Sequence, residues 1–267
     1  MGGADALEKG MKTLSMANQK GGCGKTTCAI NLGAALAVAG HRVLLIDLDP
    51  QAHATIGLGC KPSGATRTLY DVFVNPREPI SQAALASSLA GLTVVPGAAS
   101  LGAAESDMRD DPGKELVLGE KLRAVAEDYD YCLIDCPPHL GFLMTCALVA
   151  SDHAICPVQT QGYALEGLPR LFETIDVLRS RFRPCAVGTL GLVPTFVDDR
   201  VALCRQIQGQ MRGLFGPLVL DTVIHRNVRL AECPGSGKPI FTHAPGSTPA
   251  REFRALADEV RSRLAAD

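Results

Sequence analysis

Met16-Ala17-Asn18-Gln19-Lys20-Gly21-Gly22-Cys23-Gly24-Lys25-Thr26-Thr27 decides how the rest of this chain is read. A short run, Thr13 to Asn18, enters it as a strand, and Thr26 to Ala39 leaves it as a helix with apolar Ile30, Leu32, Ala35, Leu36 and Val38. Strand, glycine turn and helix form the setting in which a Gly/Lys/Thr string cradles phosphate. Glycine reaches positive φ and lets backbone N–H groups approach phosphate oxygens, and the helix N-terminus adds partial positive charge. In that chemistry Lys25 reaches the β- and γ-phosphates of a nucleotide and the Thr26 hydroxyl binds Mg²⁺.

Outward from the loop, Arg42 to Ile46 runs into Asp47-Leu48-Asp49-Pro50-Gln51, and Tyr131-Cys132-Leu133-Ile134 runs into Asp135-Cys136-Pro137-Pro138. Continuous apolar runs suit buried parallel strands, and functional residues gather at the carboxyl ends of such strands. Alternation sends Asp47 and Asp49 to one face. Asp135 after four hydrophobics is the pattern that sets a carboxylate beside Mg²⁺. Further strands are expected at Val94-Val95, Ala154 to Gln159 and Cys185 to Val193, with helices from Lys114 to Glu127, to about Leu178, through Met211, and from Thr248 to Leu264. This alternation predicts an α/β fold: a single-domain, mostly parallel, twisted sheet flanked by helices on both faces. The domain is expected over residues 12–267, after a flexible tail at 1–11.

Apolar residues make up 46% of the 267 and charged residues 20%, as in a soluble globular protein. No apolar run is long enough to span a membrane and no signal peptide opens the chain, so a cytoplasmic protein is expected. The ten cysteines include no C-x-x-C pair, which argues against a disulfide framework or a metal cluster. Cys23, beside a helix N-terminus, stands where a thiolate is favoured, so oxidation sensitivity is expected there. Net charge is −2, but residues 178–267 carry 13 Lys/Arg against 8 Asp/Glu, which hints at a basic face in the C-terminal third.

The loop departs from the ordinary phosphate-binding pattern. Gln19 stands at the usual first glycine, and the string reads K-G-G-x-G-K-T-T, with Lys20 in front. It resembles the deviant Walker A box of the ParA/MinD family of ATPases, closest to the Soj-like ParA partition ATPases. Four separated motifs, between about Leu14 and Leu264, carry the likeness: this loop, the Asp47–Gln51 string, Asp135-Cys136-Pro137-Pro138, and Ile224-His225-Arg226-Asn227-Val228-Arg229-Leu230. His225 replaces a proline of the family pattern, Gln161 an acidic residue and Gly162 an aromatic or similar side chain.

The resemblance implies ATP and Mg²⁺ as cofactors and a slow, partner-stimulated ATPase. Lys20, Gly21, Gly22, Cys23, Gly24, Lys25, Thr26 and Thr27 would hold the phosphates, with Pro137 and Asn227 at the rest of the nucleotide. Thr26, Asp47 and Asp135 would surround the metal. Lys20, Lys25 and Asp49 would be catalytic, Asp49 orienting the attacking water and Lys20 reaching the ATP of a partner across a homodimer. Arg200, Arg226 and Arg229 would touch double-stranded DNA without sequence preference, which implies nucleoid association, and a ParB-like protein would be the activator. Two alternatives share the fold: a MinD-like positioner of membrane or protein cargo, and a metallocluster-transfer ATPase resembling nitrogenase iron protein, which the cysteine pattern disfavours. The terminal helix is expected to pack on the sheet; no stable membrane insertion is expected.

Overall fold

The computed structural model describes residues 10–61, 67–183 and 185–266. Most of the expected tail lies outside them. Met11, expected in the tail, packs partly buried against the core.

Eight strands, β1 (Lys12–Met16), β2 (Val43–Asp47), β3 (Leu85–Ala86), β4 (Leu92–Val95), β5 (Tyr131–Asp135), β6 (His153–Gln159), β7 (Gly188–Val197) and β8 (Ile224–His225), form one sheet in the order β3-β4-β2-β5-β1-β6-β7-β8. Within it β3 is antiparallel to β4, and the other pairings are parallel. The helices are α1 (Lys25–Val38), α2 (His53–Gly57), α3 (Leu69–Val74), α4 (Ala104–Asp107), α5 (Val117–Arg123), α6 (Phe142–Val149), α7 (Leu168–Arg181), α8 (Ala202–Phe215), α9 (Val228–Ser236), α10 (Ile240–His243) and α11 (Thr248–Ala266).

Strand alternation builds two cores, one on each face. Leu44 and Ile46 of β2, Cys132 and Ile134 of β5, and Cys156 and Val158 of β6 pack with α3, α5, α6 and α7. Their neighbours Leu45, Tyr131, Leu133 and Ile155 face the opposite core, closed by Leu32 and Leu36 of α1 and Phe253 and Leu256 of α11. With both faces covered, every position of β2 and β5 is buried, which is why these strands read as unbroken apolar runs.

Two expected elements moved. The helix expected over 114–127 begins as a 3₁₀ turn at Lys114–Leu116, and α5 ends at Arg123. Beyond it Val125 N–H bonds the Leu122 carbonyl and Ala126 N–H the Arg123 carbonyl, the tighter pattern that closes helix ends. The strand expected from Cys185 starts at Gly188, where pairing with His153 of β6 begins.

Where α2 and α9 end, two glycines touch backbone to backbone. A Cβ on Gly59 would lie 2.8 Å from the Gly237 carbonyl oxygen, and one on Gly237 would lie 2.7 Å from Gly59 Cα. Both residues also hold positive φ, so neither accepts a side chain without moving its partner.

Helix α11 packs as expected, and among the described residues no helix is long and apolar enough to cross a membrane. Phe253 is fully buried between α1 and the sheet. Phe253→Ala should lower the free energy of unfolding by about 3–5 kcal/mol, read from denaturant melts, as a cavity in a packed core does.

Candidate functional site

The sheet brings the carboxyl ends of β1, β2 and β5 side by side, and the loop leaving β1 arches over them. Two side-chain hydrogen bonds tie it to β6 and β7. Asn18 Nδ2 donates to the Pro157 carbonyl of β6 at 2.7 Å, while its Oδ1 accepts Lys20 N–H at 2.9 Å. Thr195 Oγ1 of β7 donates to the Cys23 carbonyl at 2.7 Å. Gly24, at φ 94°, caps α1, and a Cβ there would meet the Phe196 ring at 3.2 Å. Glycine is therefore required twice over, by backbone conformation and by space. The first turn of α1 then presents N–H groups without helical partners, the usual anion site at a helix start.

The two lysines have different surroundings. Lys25 is buried and its Nζ donates to the Lys20 carbonyl at 3.1 Å, beneath the loop. Lys20 is half-buried at the rim, its Nζ 3.3 Å from the Gly162 carbonyl oxygen, which it donates to. Gly162, noted above only as a departure from the family pattern, is thus where the Lys20 ammonium rests.

Three carboxylates converge below. Asp47 and Asp135 are paired in register on adjacent strands and share the parity of Leu45 and Leu133, the side that faces α1. Both are fully buried. Burial first, then the Asp47 charge, raises the Asp135 carboxyl well above the usual range; the Thr26 hydroxyl and Lys25 oppose this. Neither Asp135 oxygen has a hydrogen bond of ordinary length. Such an orphaned carboxylate is costly unless a cation compensates it, and hard oxygens suit Mg²⁺. Among the described residues no group of three or more His, Cys, Asp or Glu could hold a metal alone, so other oxygens must complete the shell.

Asp47 is engaged differently from the expectation that put it beside the metal. Its Oδ2 accepts both Thr55 N–H at 2.7 Å and Thr55 Oγ1–H at 2.6 Å, and Oδ1 accepts Asp49 N–H at 3.3 Å. It anchors the start of α2, and Thr55 in turn accepts Gly97 N–H at 3.0 Å. Burial raises its pKa too, against the Thr55 bonds. Asp49, past the strand end, is half-buried, with Oδ1 accepting Gln51 N–H at 2.9 Å.

Beside the loop opens a cleft of about 920 Å³, lined by Gly24, Thr27, Phe196, Asn227 and Leu230 among others. It lies within the size range of small-ligand sites. Asn227 caps α9, its side chain accepting Arg229 N–H, and lies on the cleft wall. Pro137 is buried; its neighbour Pro138 is the one that abuts Gly21.

The arginines separate. Arg200 is bonded to Asp198 at 2.8 Å, and Arg226, exposed on the cleft wall, also acts on Asp198. Arg229 sits on α9, paired with Glu232 at 3.2 Å.

Sequence reasoning missed Thr55, Thr195 and Phe196, and it misjudged Cys23. That thiol is wholly buried and donates to the Lys20 carbonyl at 3.2 Å. Burial raises its pKa despite Lys25, so the thiolate expected from the helix N-terminus is disfavoured.

Comparison with known proteins fits this geometry. A family model described as "AAA domain" matches residues 11–185. The chromosome partitioning protein ParA of Myxococcus xanthus is 41% identical over 94% of this chain and 88% of its own. The sporulation initiation inhibitor protein Soj of Bacillus subtilis is 41% identical over 93% of this chain and 98% of its own. Among solved structures, cobyrinic acid a,c-diamide synthase of Mycobacterium smegmatis, with a bound ATP analogue and magnesium, superposes with a TM-score of 0.81 at 31% identity, covering 93% of both chains.

Thiol labelling checks the burial of Cys23. Cys60 and Cys185 are the partly exposed free cysteines among the described residues. In the native protein they should react with an aromatic disulfide reagent at least about tenfold faster than Cys23, with peptide mapping as the readout.

Proposed function

This chain belongs to the ParA/Soj family of P-loop ATPases, and from that premise we propose that it is a partition ATPase that pairs on ATP, binds DNA without sequence preference and is stimulated by a ParB-like partner to segregate or position DNA cargo. One observation carries the reading. A single loop holds one lysine buried beneath itself, Lys25, and one at its rim, Lys20. A lysine committed inward serves the loop's own nucleotide; one at the rim is available to a second copy. The ATP analogue and magnesium bound to cobyrinic acid a,c-diamide synthase of Mycobacterium smegmatis support the choice of ligand.

The residues divide the work. The amides of Gly21 to Thr27 and the Lys25 ammonium hold the phosphates, and the nucleoside extends into the cleft past Asn227. Thr26 and Asp135 would hold Mg²⁺, which when bound neutralises phosphate charge and orients the γ-phosphate. Asp47, its Oδ2 held by Thr55, would keep β2 and α2 in place rather than meet the metal directly. Asp49 accepts a hydrogen bond from the attacking water and aims it in line. Lys25 and the Lys20 of a second protomer face the charge that develops as the phosphate leaves. Pairing would bring two sets of Arg200, Arg226 and Arg229 to one surface, which makes DNA affinity depend on ATP and fall steeply with salt. The tail would end before Met11, which packs on the core, the ATPase domain would continue to residue 267, and the protein would act on the nucleoid.

Sedimentation with a non-hydrolysable ATP analogue and Mg²⁺ tests the pairing. The native chain and Asp49→Ala should run as dimers, Asp49→Ala with turnover reduced about a hundredfold. Lys20→Gln should bind nucleotide and remain a monomer; dimers of that variant would remove the cross-protomer role. Arg229→Glu should still pair but lose retention on nonspecific DNA, and native-like retention at about 0.1 M salt would take Arg229 off the DNA face.

A further inference from the structure

His225, the proline replacement, is used by nothing above. Its Nδ1 lies 2.8 Å from Glu252 Oε1 and its Nε2 lies 3.0 Å from Asp199 Oδ2, while its backbone N–H donates to Glu252 Oε2 at 3.1 Å. A carboxylate only accepts hydrogen bonds, so a ring with one carboxylate at each nitrogen satisfies both only when both nitrogens carry protons. The geometry therefore fits the imidazolium.

The bridge joins three elements. Asp199 lies between β7 and α8, His225 ends β8, and Glu252 sits in the first turns of α11 with its side chain largely buried. The β7–α8 segment forms one wall of the cleft through Asp198 and Val201; β8 and the start of α9 form another through Arg226 and Asn227. The neighbouring cations have other partners: Arg200 and Arg226 act on Asp198, and Arg205 donates to the Asp199 carbonyl. Arg226 thus already links the two segments, through Asp198 and through its N–H on the Val197 carbonyl, and the His225 ring adds the link between the Asp199 and Glu252 carboxylates.

We propose that protonated His225 is a positioning residue that holds the Asp199 segment of the cleft wall against β8 and Glu252 of α11, so that nucleotide binding weakens as the bridge is lost with rising pH. The inference rests on reading the cleft as the nucleoside site. Partial burial opposes the charged ring, but the bonds and charges of Asp199 and Glu252 prevail, and the pKa is raised from 6.5. The sign follows: a raised histidine contributes fully below its ordinary value, and its contribution fades as pH climbs through the raised one.

The experiment is a titration of the full chain with a fluorescent, non-hydrolysable ATP analogue and Mg²⁺ at about pH 6 and about pH 8.5, bracketing histidine titration. Native protein should bind about tenfold more weakly at the higher pH, the worth of one charge-assisted hydrogen bond. His225→Gln, neutral throughout, should change less than about twofold over the same interval, which also subtracts titration of the analogue's phosphates. Asp199→Asn removes only the exposed half of the bridge and should flatten the profile likewise, which covers poor folding of His225→Gln. Equal pH slopes in native protein and both variants would overturn the role of His225 and leave the nucleotide site standing. No binding by any of them at either pH would overturn the nucleotide reading, and this inference with it.

Discussion

The phosphate loop keeps its shape because a strand far away in sequence grips it. The Thr195 hydroxyl on the Cys23 carbonyl and the Phe196 ring against Gly24 fix the turn just before α1 begins. Asn18 does the same from the other end, through the Pro157 carbonyl. A helix start attracts anions only if its free amides point together, and here β6 and β7 add to the loop's own bonds in holding that convergence. Phe196 takes positive φ to reach Gly24, a conformation an aromatic residue adopts only when its surroundings hold it there.

The carboxylates below the loop show how adjacent strands can treat the same residue type differently. Asp47 and Asp135 are in register and equally buried, and the Asp47 charge makes Asp135 harder to ionise. Thr55 spends two donors on Asp47 and so settles it as part of the scaffold. Nothing comparable meets Asp135, which retains its full capacity to interact with a cation.

Much of this was legible beforehand, for identifiable reasons. A sheet covered on both faces leaves continuous apolar runs, so β2, β5 and β6 announced themselves, and the aspartates that end β2 and β5 followed. The glycine turn was readable because no other residue tolerates Gly24's position. What stayed hidden depends on contacts across long stretches of chain. Nothing near Thr195 marks it as a partner of Cys23, and nothing near Thr55 marks it as the partner of Asp47. The two-residue strands β3 and β8 are too short to leave a periodic trace. For Cys23, the local rule about helix starts was sound but lost to burial, which only the packed structure reveals. Likewise a histidine in place of proline could be seen, but its two carboxylates could not.

The bare contact between Gly59 and Gly237 couples two parts of the molecule that the chain keeps far apart. Helix α2 follows directly on Asp49-Pro50-Gln51, and α9 begins at the Asn227 cap beside Arg229. With no side chains between them there is nothing to compress, so the turn that ends α2 and the turn that ends α9 can come no closer unless both move. The packing of one helix therefore limits where the other can sit.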